Sequence, residues 1–145
     1  MVASKRDNPY PRFNFEVDIV GISDTLGFSE VELPSGEIGV IEYREGNDFN
    51  AVRKLPGLTK YSNVTLKRGI NGYLELYNWW KSARDGNLQR CDVSIKLLDE
   101  QRQEVMRWNL SRAWPVKLEA GQLNARANEI AIETLELAHE GFEIE

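Results

Sequence analysis

Between Arg12 and Gly21 the chain reads RFNFEVDIVG, and apolar and polar positions alternate: Phe13, Phe15, Val17 and Ile19 fall on one side, Asn14, Glu16 and Asp18 on the other. A period of two predicts a strand with one buried and one wet face. FSEVEL and EIGVIEYRE follow as strand-like runs, separated by the turn signal PSG, and SNVTLKRG reads as a further short strand ending at Gly69. The period then changes. In GYLELYNWWKSARDGN, Tyr73, Leu76, Tyr77 and Trp80 share one helical face, with Asn71 as N-cap, Arg84 in the last turn and Gly86 as the stop.

Strands resume with CDVSIKLLD, which places Cys91, Val93, Ile95 and Leu97 on one face. EVMRWNLS aligns Met106, Trp108 and Leu110, and WPVKLEA aligns Trp114, Val116, Leu118 and Ala120. In the last run, NEIAIETLELAHEGFEIE, Ile130 and Ile132 share a phase but Leu135 and Leu137 take the other. That asks for a bulge near Glu133 and Thr134, or for cover on both faces. Seven or eight strands and one helix predict a mainly β fold, a sandwich or barrel with a helix packed on it. GNDFNAVRKLPGLTK, residues 46–60, has no period and reads as a long loop, a length that in compact domains usually carries function.

The 145 residues, 41% hydrophobic and 28% charged, suit a single domain with a core of its own. The one cysteine, Cys91, cannot form an internal disulfide, which suits synthesis in a reducing cytoplasm. The N-terminal MVASKRDNPYPRFNF has cations but no apolar run after them, so it does not read as a secretory signal, and no stretch reaches the roughly 20 apolar residues of a membrane span.

Charge divides unevenly. The net is −5, yet Arg53, Lys54, Lys60, Lys67 and Arg68 fall within RKLPGLTKYSNVTLKRG, which has no acid. From Leu118 onward there are seven acids, among them Glu133, Glu136 and Glu140, against Arg126 alone. A basic stretch can be a solvated strand end, a nucleic-acid contact or a protein contact. The acidic balance and the scarcity of aromatic partners weigh against nucleic acid. A basic middle and an acidic end suit two surfaces that attract each other between copies.

Signals for chemistry are weak. His139 is the only histidine and reads as a structural or surface side chain. One His and one Cys give no basis for a zinc site, and Cys91, in phase with apolar neighbours, reads as a small core residue. LKRGINGY lacks the spacing of a phosphate-cradling loop. Trp79 and Trp80 point about 100° apart on a helix, so one belongs to the core and the other to its edge. No catalytic residue, cofactor or metal is expected.

Longer phrases carry a resemblance. PYPRFNFEV, YREGNDFNAVRKLPGLTKYSNVTLKRGI, LYNWW and RWNLSRAWPVKLEAGQLNARANEIAIETLELAHEGFE together resemble the tail-tube protein family of contractile phages and phage-tail-like contractile injection systems, over nearly the whole chain. The resemblance implies one tail-tube domain over residues 1–145, with two packed antiparallel sheets and a flanking helix. It implies rings of six copies whose inner strands close one barrel, stacked into a tube within a contractile sheath. The implied partners are other copies of the chain, a sheath protein, baseplate and tube-cap proteins, and cargo passing through the lumen, either DNA or protein. It implies no catalytic residues. A baseplate-proximal tube initiator is the alternative within the family, and a soluble β-sandwich binding module the alternative outside it.

Within that frame residues 45–60 become an arm reaching a neighbour. Arg53, Lys54, Lys60, Lys67 and Arg68 meet Glu133, Glu136 and Glu140 between copies. The polar faces Asn14, Glu16, Asp18 and Asp92, Ser94, Lys96 line the lumen, three acids against one base.

Overall fold

The computed structural model describes residues 14–44, 46, 52–70, 72, 74–126 and 130–145. Ten strands and one helix occur in the order β1 (Phe15–Ile19), β2 (Ser23–Leu26), β3 (Glu30–Glu32), β4 (Gly36–Tyr43), β5 (Arg53–Tyr61), β6 (Val64–Gly69), α1 (Glu75–Arg84), β7 (Cys91–Leu98), β8 (Glu104–Ala120), β9 (Ile132–Ala138) and β10 (Phe142–Ile144). All pairings are antiparallel. The main path runs β2-β1-β7-β8-β9-β6-β3, with β10 also on β8, and β4 and β5 form a separate hairpin.

The strand β8 explains how one path makes two layers. Its first half pairs β7 and β10, and its second half pairs β9. Between them the β7 register slips: Cys91 faces Ala113, but Val93 faces Leu110, leaving an extra residue on β8. Arg112 takes φ 51 there, the left-handed region that side chains other than glycine seldom occupy. The Arg112 amide donates to Asp92 Oδ1 at 3.2 Å, and Ser111 exchanges backbone hydrogen bonds with Glu140 and Gly141. A bulge of this kind lets a strand turn a corner and pass from one sheet to the other.

The sequence reads this strand as two runs, EVMRWNLS and WPVKLEA, and Pro115, which cannot donate to a ladder, stands inside the second. In the fold Pro115 is fully buried at a second register slip, opposite Leu137, where β8 meets β9 irregularly. The bulge also shifts the phase, so that Ala113 and Pro115 are buried while Trp114 and Val116 are only half-buried.

Inward-facing residues of both layers build the core: Val17 and Ile19, Val64 and Leu66, Cys91, Val93 and Ile95, Leu110, Leu135 and Leu137. The expected alternation of β1 and β7 is therefore observed from Val17 to Ile19 and from Cys91 to Ile95. The helix is present, but its face is rotated from the expected one. Leu76 and Trp79 are buried, whereas Tyr77 is exposed and Trp80 only half-buried. Trp79 wins the inward position because its indole N–H donates to the Gln89 carbonyl at 2.8 Å, satisfying the one polar atom it carries inward. Leu74 stands at the N-cap with no side-chain cap bond, and Gly86, at φ 87, follows the helix end; Asn71 and Tyr73 lie outside the described residues.

β9 has no bulge at Glu133 or Thr134. Its register runs unbroken from Ile132 to Leu137 against β6, and from Thr134 to Glu133 it is regular against β8. Leu135 and Leu137 face the core together with Glu133, while Ile130 is exposed. The mismatch of phase in the sequence is thus a carboxylate placed on a core face.

Candidate functional site

Three features of the surface and its margins carry charge or uncovered apolar area. The first sits at the end of the core. Arg68 follows Val64 and Leu66 on the inward face of β6 and is only 2% exposed. Glu133 stands directly opposite it on β9, and its carboxylate accepts from Arg68 Nε. Glu75, in the first turn of α1, accepts from Nη1 at 2.8 Å, and the Phe28 ring lies 6.0 Å from the guanidinium carbon. Nη2 is buried without a partner among the described residues. Burial works against the Arg68 charge, but the hydrogen bonds and charges of Glu75 and Glu133 outweigh it and raise its pKa. Burial likewise works against the Glu75 carboxylate, and the hydrogen bond from Arg68 overcomes it and holds the pKa low.

Arg68 and Glu133 were both expected on surfaces facing another copy. The structure places them inside the chain, because β6 and β9 are neighbours in the sheet and the basic middle meets the acidic end within one molecule. The remaining predicted contact residues stay outside. Lys67 lies 3.8 Å from Glu30, and Glu136 accepts from Asn63 Nδ2 at 3.4 Å. Glu140 pairs with Arg112. Arg53, Lys54 and Lys60 are exposed on β5.

The second feature corrects the expected loop. Residues 53–61 are not irregular: they form β5, which pairs β4 from Gly36↔Tyr61 to Tyr43↔Arg53. Residues 45 and 47–51 lie outside the described residues. The strand carries no hydrophobic alternation because neither of its faces is buried in the subunit. A register slip between Ile38 and Val40 puts Gly57 and Leu58 opposite Gly39, where a Cβ on Gly57 would come within 3.1 Å of the Gly39 carbonyl oxygen. A side chain there would have to push the Gly39 backbone aside by a few tenths of an ångström.

At about 3.3 Å per residue the eight-residue β4 is about 26 Å long. The root is anchored: Tyr61 packs on Phe142 and His139, and His139 Nε2 lies 2.8 Å from the Ser62 carbonyl. Beyond the root, among the described residues, β4 and β5 pack substantially on no element but each other. One face carries Ile41, Leu55 and Tyr43, the other Ile38, Val40 and Pro56, and Leu58 is 80% exposed. A two-stranded ribbon with uncovered apolar residues on both faces is not stable alone in water and marks an interaction surface.

The third feature is the outward face of β1, β7 and β8. Glu16 stands opposite Lys96, and Asp18 opposite Ser94. Lys96 Nζ reaches Asp18 Oδ2 at 2.7 Å, and Arg102 lies 3.9 Å from Glu16. Asp92 continues the row, and Asn14, at its end, donates to the Asp99 carbonyl at 3.1 Å. The two polar rows of the sequence are therefore one surface. From β8 come residues that the sequence reading missed: Arg107, opposite Lys96, and Asn109, opposite Ser94, whose amide oxygen accepts from the Ser94 hydroxyl at 3.0 Å. Glu104 takes a two-pronged contact from Arg107 at 2.6 and 2.9 Å, which lowers the Glu104 pKa and raises that of Arg107. The inward phase of Met106, Trp108 and Leu110 already implied that Arg107 and Asn109 point the other way.

Little here supports chemistry. The Cys91 thiol is buried, and burial, then the nearby Asp92 charge, pushes its pKa up, away from a reactive thiolate. No cluster of three or more metal-ligating side chains occurs among the described residues, and none of the described helices is long and apolar enough to cross a membrane.

Known proteins give this arrangement its context. No curated protein sequence matches the chain. Among solved structures, it is similar to a chain of an extracellular contractile injection system, the PVC sheath–tube complex in the extended state. The identity is 27% over 94% of this chain and 91% of that one, with TM-score 0.85. It is similar to a chain of the PVC sheath/tube terminator, at 28% identity over 96% and 98% of the two chains and TM-score 0.86. A chain of the anti-feeding prophage baseplate matches at 26% identity over 96% and 97%, with TM-score 0.84. Hcp1 from Flavobacterium johnsoniae, at 16% identity over 91% and 94% and TM-score 0.60, shares the fold. The model of the T4-like virus tail tube protein gp19 family matches residues 11–143, and the chain belongs to that family of structural tube proteins.

Proposed function

We propose that the chain is the inner-tube subunit of a contractile, phage-tail-like particle, closing six-fold rings that stack into a hollow tube. The observation that carries this reading is the β4–β5 hairpin, apolar on both faces and leaving the body of its own subunit. Such a ribbon needs cover from other molecules. Head-to-tail contacts between identical copies supply it at every repeat, and they close into rings when the rotation allows. The free edges support the same conclusion. The layer containing β1 and β7 ends in β2 on one side and β10 on the other, and joining such edges between copies removes unpaired backbone groups by making one continuous barrel.

In this arrangement Arg53, Lys54, Lys60 and Lys67 contact neighbouring copies, as do Glu136 and Glu140. The face bearing Glu16, Asp18, Asp92, Ser94, Lys96, Arg107 and Asn109, with Asn14 at its margin, lines the lumen. Its charges are largely paired with one another, so the wall neither holds a polyanion nor offers an apolar surface to a passing protein. Sheath protein covers the outside, and baseplate and cap proteins close the ends. The chain is made in the cytoplasm and leaves the cell only as part of a particle. Negative-stain microscopy with light scattering tests the reading. Six-fold rings and tubes are the expected result, and a monomer at every concentration and salt would overturn it.

A further inference from the structure

A cleft of about 380 Å³ opens where the two layers splay apart. One wall is Phe15, Ile95, Leu97 and Trp108, and the other is formed by Val31 and Leu33 with Glu30 at the rim. The cleft is an unfinished end of the core. Phe15, Val31 and Trp108 pack against the buried cluster yet are only partly covered. β3 is the last strand of the path, so the side of it turned away from β6 has no strand partner in the described fold.

We infer that this cleft receives the distal half of the β4–β5 hairpin of a neighbouring copy, with Ile41 and Leu55 entering it. The inference rests on the self-assembly reading and names the place where the arm lands. Three properties match. Ile41 and Leu55 stand opposite each other on one face of the hairpin and are both about half exposed, so they supply apolar area of the kind the cleft lacks. Charge is complementary at one point: β3 carries Glu30 and Glu32 and no base, and Arg53, opposite Tyr43, shares the Ile41–Leu55 face, while Lys54 and Lys60 face Glu42 and Glu37 across the hairpin and Glu30 lies 3.8 Å from Lys67. Arg53, two residues before Leu55 and on the same face, arrives at the acidic rim when Leu55 enters. Lys96, the cation on the opposite wall, is already engaged by Asp18. Both hairpin strands also have a free edge, as β3 does, so the arm can lie along β3 as an added strand.

The hairpin of the same copy does not reach. β3 leads into β4 through three residues, which places the hairpin root, not its distal half, beside Leu33. Leu55 lies six residues from the root at Tyr61, about 20 Å along the strand.

Two single-cysteine proteins test the assignment, Leu33→Cys and Leu55→Cys, each with Cys91→Ala to remove the native thiol. Each is assembled alone and as an equal mixture, oxidised, and run on a non-reducing gel. The expected result is a covalent dimer from the mixture and none from either protein alone. Tubes in the microscope without that dimer would overturn the cleft assignment while leaving self-assembly intact. Absence of rings and tubes from the unmutated chain would instead remove the reading beneath it. Hydroxyl-radical footprinting of the unmutated chain gives a second measurement if a variant fails to fold. Leu33 and Trp108 should become protected together with Ile41 and Leu55 on passing from monomer to tube. Protection of Leu33 and Trp108 already complete in the monomer would give the cleft to a segment of the same chain and overturn the inference.

Discussion

Arg68 and Glu133 face each other across β6 and β9, on the inward side of the sheet, with Glu75 at the start of α1 completing the group. The pair ties helix to sheet at a position where the strands would otherwise continue Val64–Leu66 and Leu137–Leu135 with another apolar layer. Removing one member of a buried pair commonly costs about 3–5 kcal/mol, because the other charge is left desolvated. Arg68→Met should therefore destabilise the subunit strongly, toward the lower end of that range, since Glu133 and Glu75 keep partial contact with water. Adding Glu133→Leu to Arg68→Met should recover much of the loss. Urea unfolding of the chain below its assembly concentration measures both, and equal loss in single and double variants would mean that the ion pair is not the source.

Acid should act on the same group. Glu75 has a folded-state pKa below its ordinary value of 4.5, and Glu104, held by Arg107, is also lowered. A carboxylate whose pKa falls on folding stabilises the fold fully above its unfolded pKa, and the benefit disappears as pH falls through the folded value. Stability should thus be flat above about pH 5 and decline below about pH 4.5. Glu75→Gln should give a lower plateau and a shallower decline. The urea midpoint followed from pH 6 to pH 3 reports this, and an unchanged acid slope would exclude Glu75 as a contributor.

How far this could be read from the residues depends on where each one buries. Val17, Ile19, Cys91, Val93 and Ile95 alternate because one side of their strands meets the core, so the period alone placed them. β5 has no such side within one subunit, and its residues therefore read as a loop. Arg68 and Glu133 broke the pattern in the other direction. Each is charged at a core position, and only the β6–β9 register brings together residues 65 positions apart. The polar rows on β1 and β7 were legible as faces, but their merging with Arg107 and Asn109 follows from strand order, which local periodicity does not contain.

The hairpin separates assembly from folding. Val40→Thr and Leu58→Ser remove apolar area at exposed positions of the arm, away from the root where Tyr61 packs on Phe142 and His139. Such surface changes usually stay within about 0.5 kcal/mol of the parent's stability. The pair should leave the monomer's urea midpoint in place while abolishing or sharply reducing tubes in sedimentation and microscopy. Tubes of normal length from the double variant would show that these side chains remain uncovered in the assembly.

The exposed cations divide in a similar way from Arg68. Lys54→Glu with Lys60→Glu changes two positions on β5 that face Glu42 and Glu37 across the hairpin, so some strain falls on the arm itself. Single exposed ion pairs are worth only about 0–1 kcal/mol, but a ring repeats every contact around its circumference. The expected outcome is assembly that needs more protein and responds differently to salt. A critical concentration identical to that of the parent across a salt series would return these lysines to the role of solvated side chains.

The outward face of β1, β7 and β8 makes a prediction about the bore and about what passes through it. Asp18 and Lys96 neutralise each other at 2.7 Å, and Glu104 does the same for Arg107, whereas Asp92 offers its carboxylate to a backbone amide and keeps its net charge. If this face lines a six-fold tube, changes here repeat around every ring without touching the contacts between copies. Asp18→Asn would free Lys96 and add one positive charge per subunit, and Asp92→Asn would add another. Tubes of the double variant should still form with parental dimensions but retain short single-stranded DNA in a salt-dependent way, because released cations attract phosphate while the parental wall does not. Retention is measured by co-sedimentation with tubes open at their ends, and the position of Asp18, Lys96 and Arg107 is read directly from a tube reconstruction. Those three side chains on the outer surface of the tube, or DNA bound equally by parent and variant, would show that another face lines the bore.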